Sequence, residues 1–433
     1  MKKQFSGGIR FPHEQENKEM TARLPLEDFS PPRLMIPVDQ GIGSQGEPIV
    51  TVGDHVDAGQ KIAEPKDEHS VPVHCGVSGT VLSVRSIPTP LGETLCVEVE
   101  NDFQNTPAPL LKSERNPRHL MREAGLVGMG GAGFPTFLKY CTSRSIQTVL
   151  INGCECEPYL TSDHHIMLQY PEKVVSGALA LAHSIGAAPI ICVEDNKPDA
   201  IKALQDAAQG KSVTIVPLPS LYPQGGERQL IQAVLGKEVK AGQFPADVNT
   251  LVSNVATAVA MADAQNGHPL THRIITVAGS VKKPKVLRVP IGTLLEDVFK
   301  FCGGYNMVSD SDQTRIVVGG PMTGKRIEQL QIPIIKTTSG LIVLHGTIPE
   351  EDACIHCGAC ARVCPSRLMP FAIDANAIIG NAGACEDYHA EQCISCGCCS
   401  YICPAKRYLA ARVSMAGLGI RKRRAAAQKG AST

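Results

Sequence analysis

The sequence predicts a multidomain protein of mixed α/β and α+β class, with four folded modules in series. Three observations carry that expectation. The chain is 433 residues long, more than one hydrophobic core supports. Its middle third alternates helical and strand periodicities, the pattern of a layered, largely parallel sheet. Its last fifth gathers eight ordered cysteines into two short runs.

Residues 1–105 hold short alternating apolar runs broken by Gly and Pro. "IVTVGDHVDAGQKIAEP" is answered by "VHCGVSGTVLSV", two hairpin-like halves with turns expected at Gly53 with Asp54 and at Gly79. The pattern resembles the biotinyl/lipoyl-like barrel-sandwich fold. The lysine motif that such carriers modify is missing, so a carrier role is not expected.

Residues 106–268 change texture. "NPRHLMREAGL" has helical spacing, "TVLING" reads as a buried strand, and "PEKVVSGALALAHSIGA" as a helix with Pro171 near its start. "PIICVED" and "VTIVPL" are further strands, separated by the helix "KPDAIKALQDAAQ". This is an α/β layer. Residues 269–345 turn mostly to strand. Two strands flank a turn at Lys282 to Pro284, then come one amphipathic helix and a later strand, "TRIVVGG". That order predicts a β-grasp-like module. Residues 346–412 are cysteine-dense, and 413–433, ending "GIRKRRAAAQKGAST", read as a solvated, frayed basic tail open to a surface or partner contact.

Composition excludes several functions. Forty-two basic residues balance forty-two acidic ones, so the strongly basic surface of a nucleic-acid binder is not expected. Tryptophan is absent and aromatic residues are 4% of the chain, which argues against base-stacking platforms. "MKKQFSGGIRFPHEQ" has two lysines but no apolar segment, and no run of about 18 apolar residues occurs anywhere. Neither export nor a membrane span is expected. Seventeen cysteines in such a chain imply metal ligation rather than disulfides.

"CIHCGACARVCP" and "CISCGCCSYICP" each match C-x2-C-x2-C-x3-C-P. Three closely spaced thiolates can wrap one face of an iron–sulfur cube, and in two-cluster proteins the fourth serves the other cube. The first 4Fe–4S cluster is therefore assigned to Cys354, Cys357, Cys360 and Cys403, and the second to Cys393, Cys396, Cys399 and Cys364. Gly358, Ala359 and Gly397 let the backbone close around them. Zinc, which favours paired thiolates at a tetrahedral point, fits this order poorly. Cys385 and Cys398 are left over and read as packing residues.

"VGMGGAGFPTFLKY" follows a helix rather than a strand, so it fails the ordinary dinucleotide fingerprint. Two readings stand: a phosphate cradle using Gly128, Gly130, Gly131 and the point charge of Lys139, or a crowded turn. "INGCECEPYLTSDHH" places Asn152, Glu155 and Glu157 where a strand leaves the sheet, the usual ligand position in open α/β sheets. "YPQGGERQLI" adds a second glycine pair with Glu227, and "VNTLVSNVATAVAM" supplies Asn249, Asn254 and Thr257. Strand-end solvation for the glutamates and an ordinary helix cap for Asn254 and Thr257 are the plain alternatives. His164 and His165 read as surface or packing residues, and the thiols of Cys154 and Cys156 as a poor metal site.

Taken together, these strings resemble a known pattern. "GLVGMGGAGFPTFLK" and "INGCECEP" resemble the FMN and NADH loops of the flavoprotein subunit of respiratory complex I. The order of all the segments, from "FSGGIRFP" through "YPQGGERQLI", "VAGSVKKPKVLRVPIGT" and "VGGPMTG" to "CPAK", resembles the RnfC component of the Rnf electron-transport complex over nearly residues 5–410. By that resemblance Gly128, Gly130, Gly131, Lys139, Asn152, Asn254 and Thr257 hold FMN. Phe134, Glu155, Glu157 and Glu227 line the NADH site. The complex I loop has Arg where this chain has Met129, and Asp where it has Cys154.

The resemblance implies a peripheral subunit on the cytoplasmic face of the membrane. It would pass electrons between NADH and membrane-bound Rnf-type subunits, including a ferredoxin-like one, in a complex that translocates ions. The chemistry agrees: NADH gives a hydride, clusters take single electrons, and a flavin converts between the two. Two alternatives are a soluble flavin/iron–sulfur cobalamin reductase and a ferredoxin-like relay without enzymatic activity.

Overall fold

The computed structural model describes residues 4–41, 46–112, 116–131, 133–306 and 313–430. Two small sheets face each other near the N-terminus. One is four-stranded and antiparallel, in the order Arg33–Pro37, Gly92–Asn101, Gly79–Thr89, His55–Val56. The other joins Gly46–Pro48, Lys61–Pro65 and Val73–His74. Leu34, Ile36, Val56, Ile62, Val97 and Val99 fill the space between them, because alternate residues of each strand point inward. Gly53 does sit in a turn with positive φ. Gly79 does not: it opens the long strand, where a Cβ would stand 1.8 Å from the Glu100 carbonyl oxygen. Close strand approach, not turn chemistry, requires that glycine.

The α/β layer is a four-stranded sheet in the order Thr214–Leu218, Ala188–Glu194, Thr148–Gly153, Thr250–Asn254, all parallel. Val149 and Ile151 bury on one face and Leu150 on the other, as a strand covered on both sides requires. Helices Pro171–His183 and Val255–Gln265 cover the first face and approach closely. A Cβ on Gly177 would lie 1.8 Å from the Ala258 carbonyl oxygen. Helix Glu227–Leu235 covers the other face through Leu230 and Ile231. All four strands end at one edge, at Gly153, Glu194, Leu218 and Asn254.

A mixed six-stranded sheet follows, ordered Leu26–Asp28, Lys285–Pro290, His272–Gly279, Gly340–Leu344, Arg315–Val318, Lys325–Ile327. Its first strand comes from the N-terminal segment and pairs parallel to Lys285–Pro290, Leu26 opposite Val286. Residues before the barrel-like sheets therefore reach across the molecule. Helix Leu295–Phe301 packs on this sheet through Leu295, Val298 and Phe299.

The cysteine-rich region is helical: Ala359–Val363, Pro370–Ile378, Ala382–Asp387, Cys398–Tyr401 and Leu409–Gly430. The last of these corrects the expectation of a frayed tail over 413–433. Val413 and Ile420, seven residues apart, are both 1% exposed and anchor one face of a 22-residue helix. Gly417 lies so close to the Ala390 carbonyl that a Cβ would be 2.3 Å from it. Arg421 donates to the Glu391 carbonyl, and Arg424 pairs with Glu386. The basic residues are held in part by acidic neighbours that adjoin them in space, not in sequence. Residues 431–433 lie outside the described residues.

Two buried charges brace the structure, Asp374 within the cysteine-rich region and Lys336 between the barrel-like sheets and the α/β layer. Asp374, 2% exposed at its side chain, accepts from Arg407 at 2.8 Å and Arg412 at 2.9 Å, and Arg412 also pairs with Glu351. Asp374→Ala removes the shared acceptor while Arg407 keeps the Asp352 carbonyl and Arg412 keeps Glu351, and should cost about 2 kcal/mol, read as a lower melting midpoint of the iron-loaded protein. Lys336, 1% exposed, donates to the carbonyls of Pro72 at 3.2 Å and Gly125 at 2.8 Å. Burial without a carboxylate partner brings its pKa down to about 7.

The unfolded chain then holds that proton up to the ordinary lysine range, while the folded chain releases it near neutrality. Folding is therefore favoured progressively as pH rises from about 7 toward 10. Lys336→Met should abolish that contribution, so its melting midpoint relative to wild type falls as pH rises. A difference independent of pH would show that the ammonium titrates normally.

Candidate functional site

The site begins where strand Thr148–Gly153 leaves the sheet. Lys18, from the N-terminal segment, donates to the carbonyls of Glu155 and Glu157 at 2.7 Å each and of Leu160 at 2.6 Å. Burial pushes its pKa down, and the like charge of Lys197 adds to the shift. With its backbone pinned, the loop fans its side chains in different directions. Glu155 is buried and turns to the helix Ser162–Gln169, accepting from Ser162 Oγ at 3.0 Å and the Asp163 and His164 amides at 2.9 and 3.3 Å. Glu157 accepts from the Met322 amide at 2.9 Å and from Thr323 Oγ1. Burial raises its carboxyl pKa. Cys156 Sγ accepts from the Gly225 amide at 3.4 Å, and burial pushes both the Cys154 and Cys156 thiols up.

The glycine-rich loop lies over the start of helix Val255–Gln265. Gly128 donates to Phe134 O at 2.8 Å and closes the loop on itself. The Met129 amide donates to Thr257 Oγ1 at 3.2 Å, and that hydroxyl donates to Val127 O. Gly130 passes Asn254 so closely that a Cβ would sit 3.0 Å from the Asn254 Cβ. Asn254 caps the helix through Ala256 N at 2.8 Å and donates to Asp163 Oδ2 at 2.7 Å. Gly131 points the other way, with nothing within 4 Å of where a Cβ would stand. Phe134 is 40% exposed.

Lys139 ends the one-turn helix Thr136–Lys139 and donates to Val252 O at 2.7 Å and Glu227 Oε1 at 3.2 Å. A residue expected at the flavin and one expected at the nicotinamide nucleotide are thus in contact. Asn152 joins the second glycine pair by donating to Gly225 O at 2.9 Å. Gln224 beside it is fully buried, and neither its Oε1 nor its Nε2 has a partner among the described residues. Asn249 lies apart from this group, in left-handed backbone before strand Thr250–Asn254, and donates to Ser145 O. His164 and His165 are buried rather than at the surface, bonded to Asp199 and Thr21 O.

The cysteines line two small cavities. One is bounded by Cys354, Cys357, Cys360 and Cys403, the other by Cys364, Cys393, Cys396, Cys398 and Cys399. Each takes one thiol from the run that does not supply the rest, and the second carries Cys398 as a fifth. Among the described residues no three His, Cys, Asp or Glu side chains converge on a single metal ion. Four thiols spread around a cavity suit a cube rather than a tetrahedral point. The two runs share their backbone too. Left-handed residues His356, Gly358 and Arg367 in the first recur as Ser395, Gly397 and Lys406 in the second. Amides donate toward sulfur from Leu368 to Cys364 and from Ser395 to Cys393, both at 3.3 Å. Cys385 and Cys398 are both buried; Cys385 lies away from the two cavities, whereas Cys398 borders the second one and also packs beside Tyr222 and Ile9.

The second cavity adjoins the α/β layer. Tyr222 Oη donates to the Cys396 carbonyl at 2.7 Å, and Met322, held by Glu157, touches the space beside Gly397. The "FSGG" segment threads the joint: Gly8 N donates to Val363 O at 2.8 Å, and Ile9 bridges Tyr222. Lys18, Tyr222 and Gln224 carry this architecture, and no spacing or charge pattern marked them in the sequence.

Fold and site together define a class: flavin- and iron–sulfur-containing electron-transfer proteins. Residues 121–263 match the Nuo51 FMN-binding domain, and 347–414 match the 4Fe–4S dicluster domain. Residues 3–104 match the RnfC barrel sandwich hybrid domain, and 274–325 the SLBB domain. The chain's cofactors are FMN and two 4Fe–4S clusters.

The chain is 40% identical over 431 residues to the C component of the Na(+)-translocating ferredoxin:NAD(+) oxidoreductase complex of Acetobacterium woodii, covering 95% of this chain and 96% of that one. It is 38% identical to the proton-translocating counterpart of Clostridium ljungdahlii, covering 86% and 83%. It is 36% identical to the C component of the ion-translocating oxidoreductase complex of Vibrio cholerae, covering 88% of this chain and 51% of that one. This chain belongs to the RnfC family, a component of the Rnf-type, ion-translocating ferredoxin:NAD oxidoreductase complexes. A chain of an NAD+-reducing [NiFe]-hydrogenase shares the fold, with a TM-score of 0.50 at 21% identity over 65% of this chain and 58% of that one.

Gly7 tests the joint. It has φ +78, and a Cβ would stand 2.7 Å from the Cys364 carbonyl oxygen. Gly7→Ala should release the cluster that Cys364 serves, lowering bound iron by about half while flavin content holds. Unchanged iron would show that the joint does not constrain the cluster.

Proposed function

We propose that this subunit oxidises NADH, or reversibly reduces NAD, and passes electrons singly through two 4Fe–4S clusters to membrane-bound partners. The observation that carries this reading is the contact between the strand-end platform and one cysteine-lined cavity, through Tyr222 and Cys396. Two-electron chemistry and one-electron carriers are adjacent in one chain. Bound FMN would supply the conversion between hydride and single electrons.

The residues fit that group. Gly131 leaves open space that a Cβ would fill, the Gln224 amide is buried without a partner among the described residues, and the loop is anchored to Thr257 through the Met129 amide. In this reading Gly128, Gly130, Gly131, Asn152, Asn254 and Thr257 shape the flavin site and Lys139 offers charge to its phosphate. Phe134 and Glu227 border the nicotinamide nucleotide. Glu155 and Glu157 act from behind, fixing the loop through the helix and the 320–323 turn that they bind. The chain's own work is to orient and to exclude water, since no acid–base residue is needed for a hydride. Cys354, Cys357, Cys360 and Cys403 hold one cluster, and Cys364, Cys393, Cys396 and Cys399 the other.

Among the described residues no helix is long and apolar enough to cross a membrane. The reading therefore places the subunit peripherally, on the cytoplasmic face, held by membrane-bound subunits and serving a ferredoxin-like one. Ion translocation belongs to the complex. Ile378, Ile379, Met415 and Leu418 are exposed apolar residues around the C-terminal helix and offer a surface for that contact. The β-grasp label for 269–345 and the domain limits 1–105, 106–268, 346–412 and 413–433 belong to this reading as well.

Lys139→Ala should weaken FMN retention at least about tenfold, the worth of one hydrogen bond to a charged group, while iron content stays at the wild-type level. Flavin and iron lost together would mean that the loop is only structural. Anaerobic NADH should bleach the flavin band of the wild-type protein. Two clusters without a flavin band, and no bleaching, would leave a simple electron relay.

A further inference from the structure

A third cavity, apart from the two lined by cysteines, lies beneath the glycine-rich loop, between helix Val255–Gln265, the start of helix Pro171–His183, strand His272–Gly279 and the barrel-like sheets. Its volume is about 440 Å³, within the range of small-molecule sites. Ile166, Ala256, Val259, Ala260, Leu270 and Ile274 give it apolar walls. Met129 forms part of its boundary and Arg273 lines it.

Arg273 is 3% exposed. Its Nε donates to Thr338 O at 3.0 Å, and Nη1 meets only the Met129 sulfur, at 3.0 Å. A thioether is a weak acceptor, and Nη2 has no partner among the described residues. The nearest carboxylates are committed elsewhere: Glu155 to the amides of Asp163 and His164, Asp163 to Asn254. Burial pulls the guanidinium pKa down to about 10, so it stays charged at neutral pH. The other cations bordering the cavity already have partners, Lys173 with Asp263 at 2.7 Å and Arg288 with Asp28 at 2.9 Å. His272 is neutral, its pKa brought to about 3 by burial. Arg273 thus turns unpartnered donors toward a cavity whose walls are part apolar and part polar, and an anion there would complete them.

We propose that this cavity is a binding site for a phosphate monoester with an apolar body, with Arg273 as the anion-binding residue. A guanidinium fork matches phosphate geometry, and the aliphatic walls suit a flat hydrophobic group. This ligand is distinct from FMN: the residues that shape the flavin site in the reading above, Lys139, Asn152, Asn254 and Thr257, do not line this cavity.

Calorimetric titration of the full iron–sulfur-loaded chain with phenyl phosphate, flavin-free and FMN-saturated, tests this. Flavin-free protein should bind it, with affinity at least about tenfold weaker in Arg273→Gln and partly restored in Arg273→Lys. Binding retained on FMN saturation supports a separate site, and binding lost on FMN saturation overturns it. Val259→Phe keeps the guanidinium but fills the cavity, and should also abolish binding. That variant decides the matter if Arg273→Gln fails to fold, as judged by iron content. No binding to flavin-free protein, or equal binding by wild type and Val259→Phe, overturns the proposal. Because the flavin-free titration does not depend on NADH chemistry, its failure is separable from failure of the oxidoreductase reading.

Discussion

Everything around the site depends on one buried ammonium. Lys18 gathers three carbonyls of the loop that leaves the central strand. Without it, three part-buried carbonyls would lose their donor, each at about 1 kcal/mol. With it, the loop has a single conformation, and the side chains on either side acquire fixed jobs. Glu155 stabilises the helix beyond, Glu157 captures the turn at 320–323, and Cys156 meets the second glycine pair. Residues from the first twenty positions therefore set the geometry of a site built mostly from positions 127–257.

The same N-terminal segment governs the joint to the sulfur sites. After Gly7 and Gly8 pass the backbone at Val363 and Cys364, Ile9 pairs with Tyr222, whose hydroxyl holds Cys396. Only glycine fits at Gly7, where backbone lies within contact distance on the side a Cβ would occupy. One short segment thus links the strand ends, the second glycine pair and one cysteine cavity. The cavity lined by Cys354 is also lined by Arg407, a member of the Asp374 ion-pair network.

Much of this was legible in the sequence where local chemistry dictates structure. The parallel α/β layer follows from buried strands such as "TVLING" alternating with helices, and the sets of four thiols follow from spacing. Other features were not legible because their cause is distant in sequence. Lys18 sits in a charged stretch that reads as solvated, and only folding brings it under positions 155–160. Gly79 looks like a turn until its close neighbour at Glu100 is known. The C-terminal residues look frayed because their acidic partners, Glu386 and Glu391, belong to other elements. Lys139 was legible as a charge near the loop, but its contact with Glu227 was not.

The central claim is that flavin is held by three loops at one edge of the parallel sheet. Hydrogen–deuterium exchange on the iron–sulfur-loaded, flavin-free protein, with and without added FMN, reads this directly. Added FMN should slow exchange in segments 127–139, 152–157 and 252–258 and leave the barrel-like sheets at 46–101 unchanged. Protection confined to the cysteine-rich region, or to none of those three loops, would contradict it.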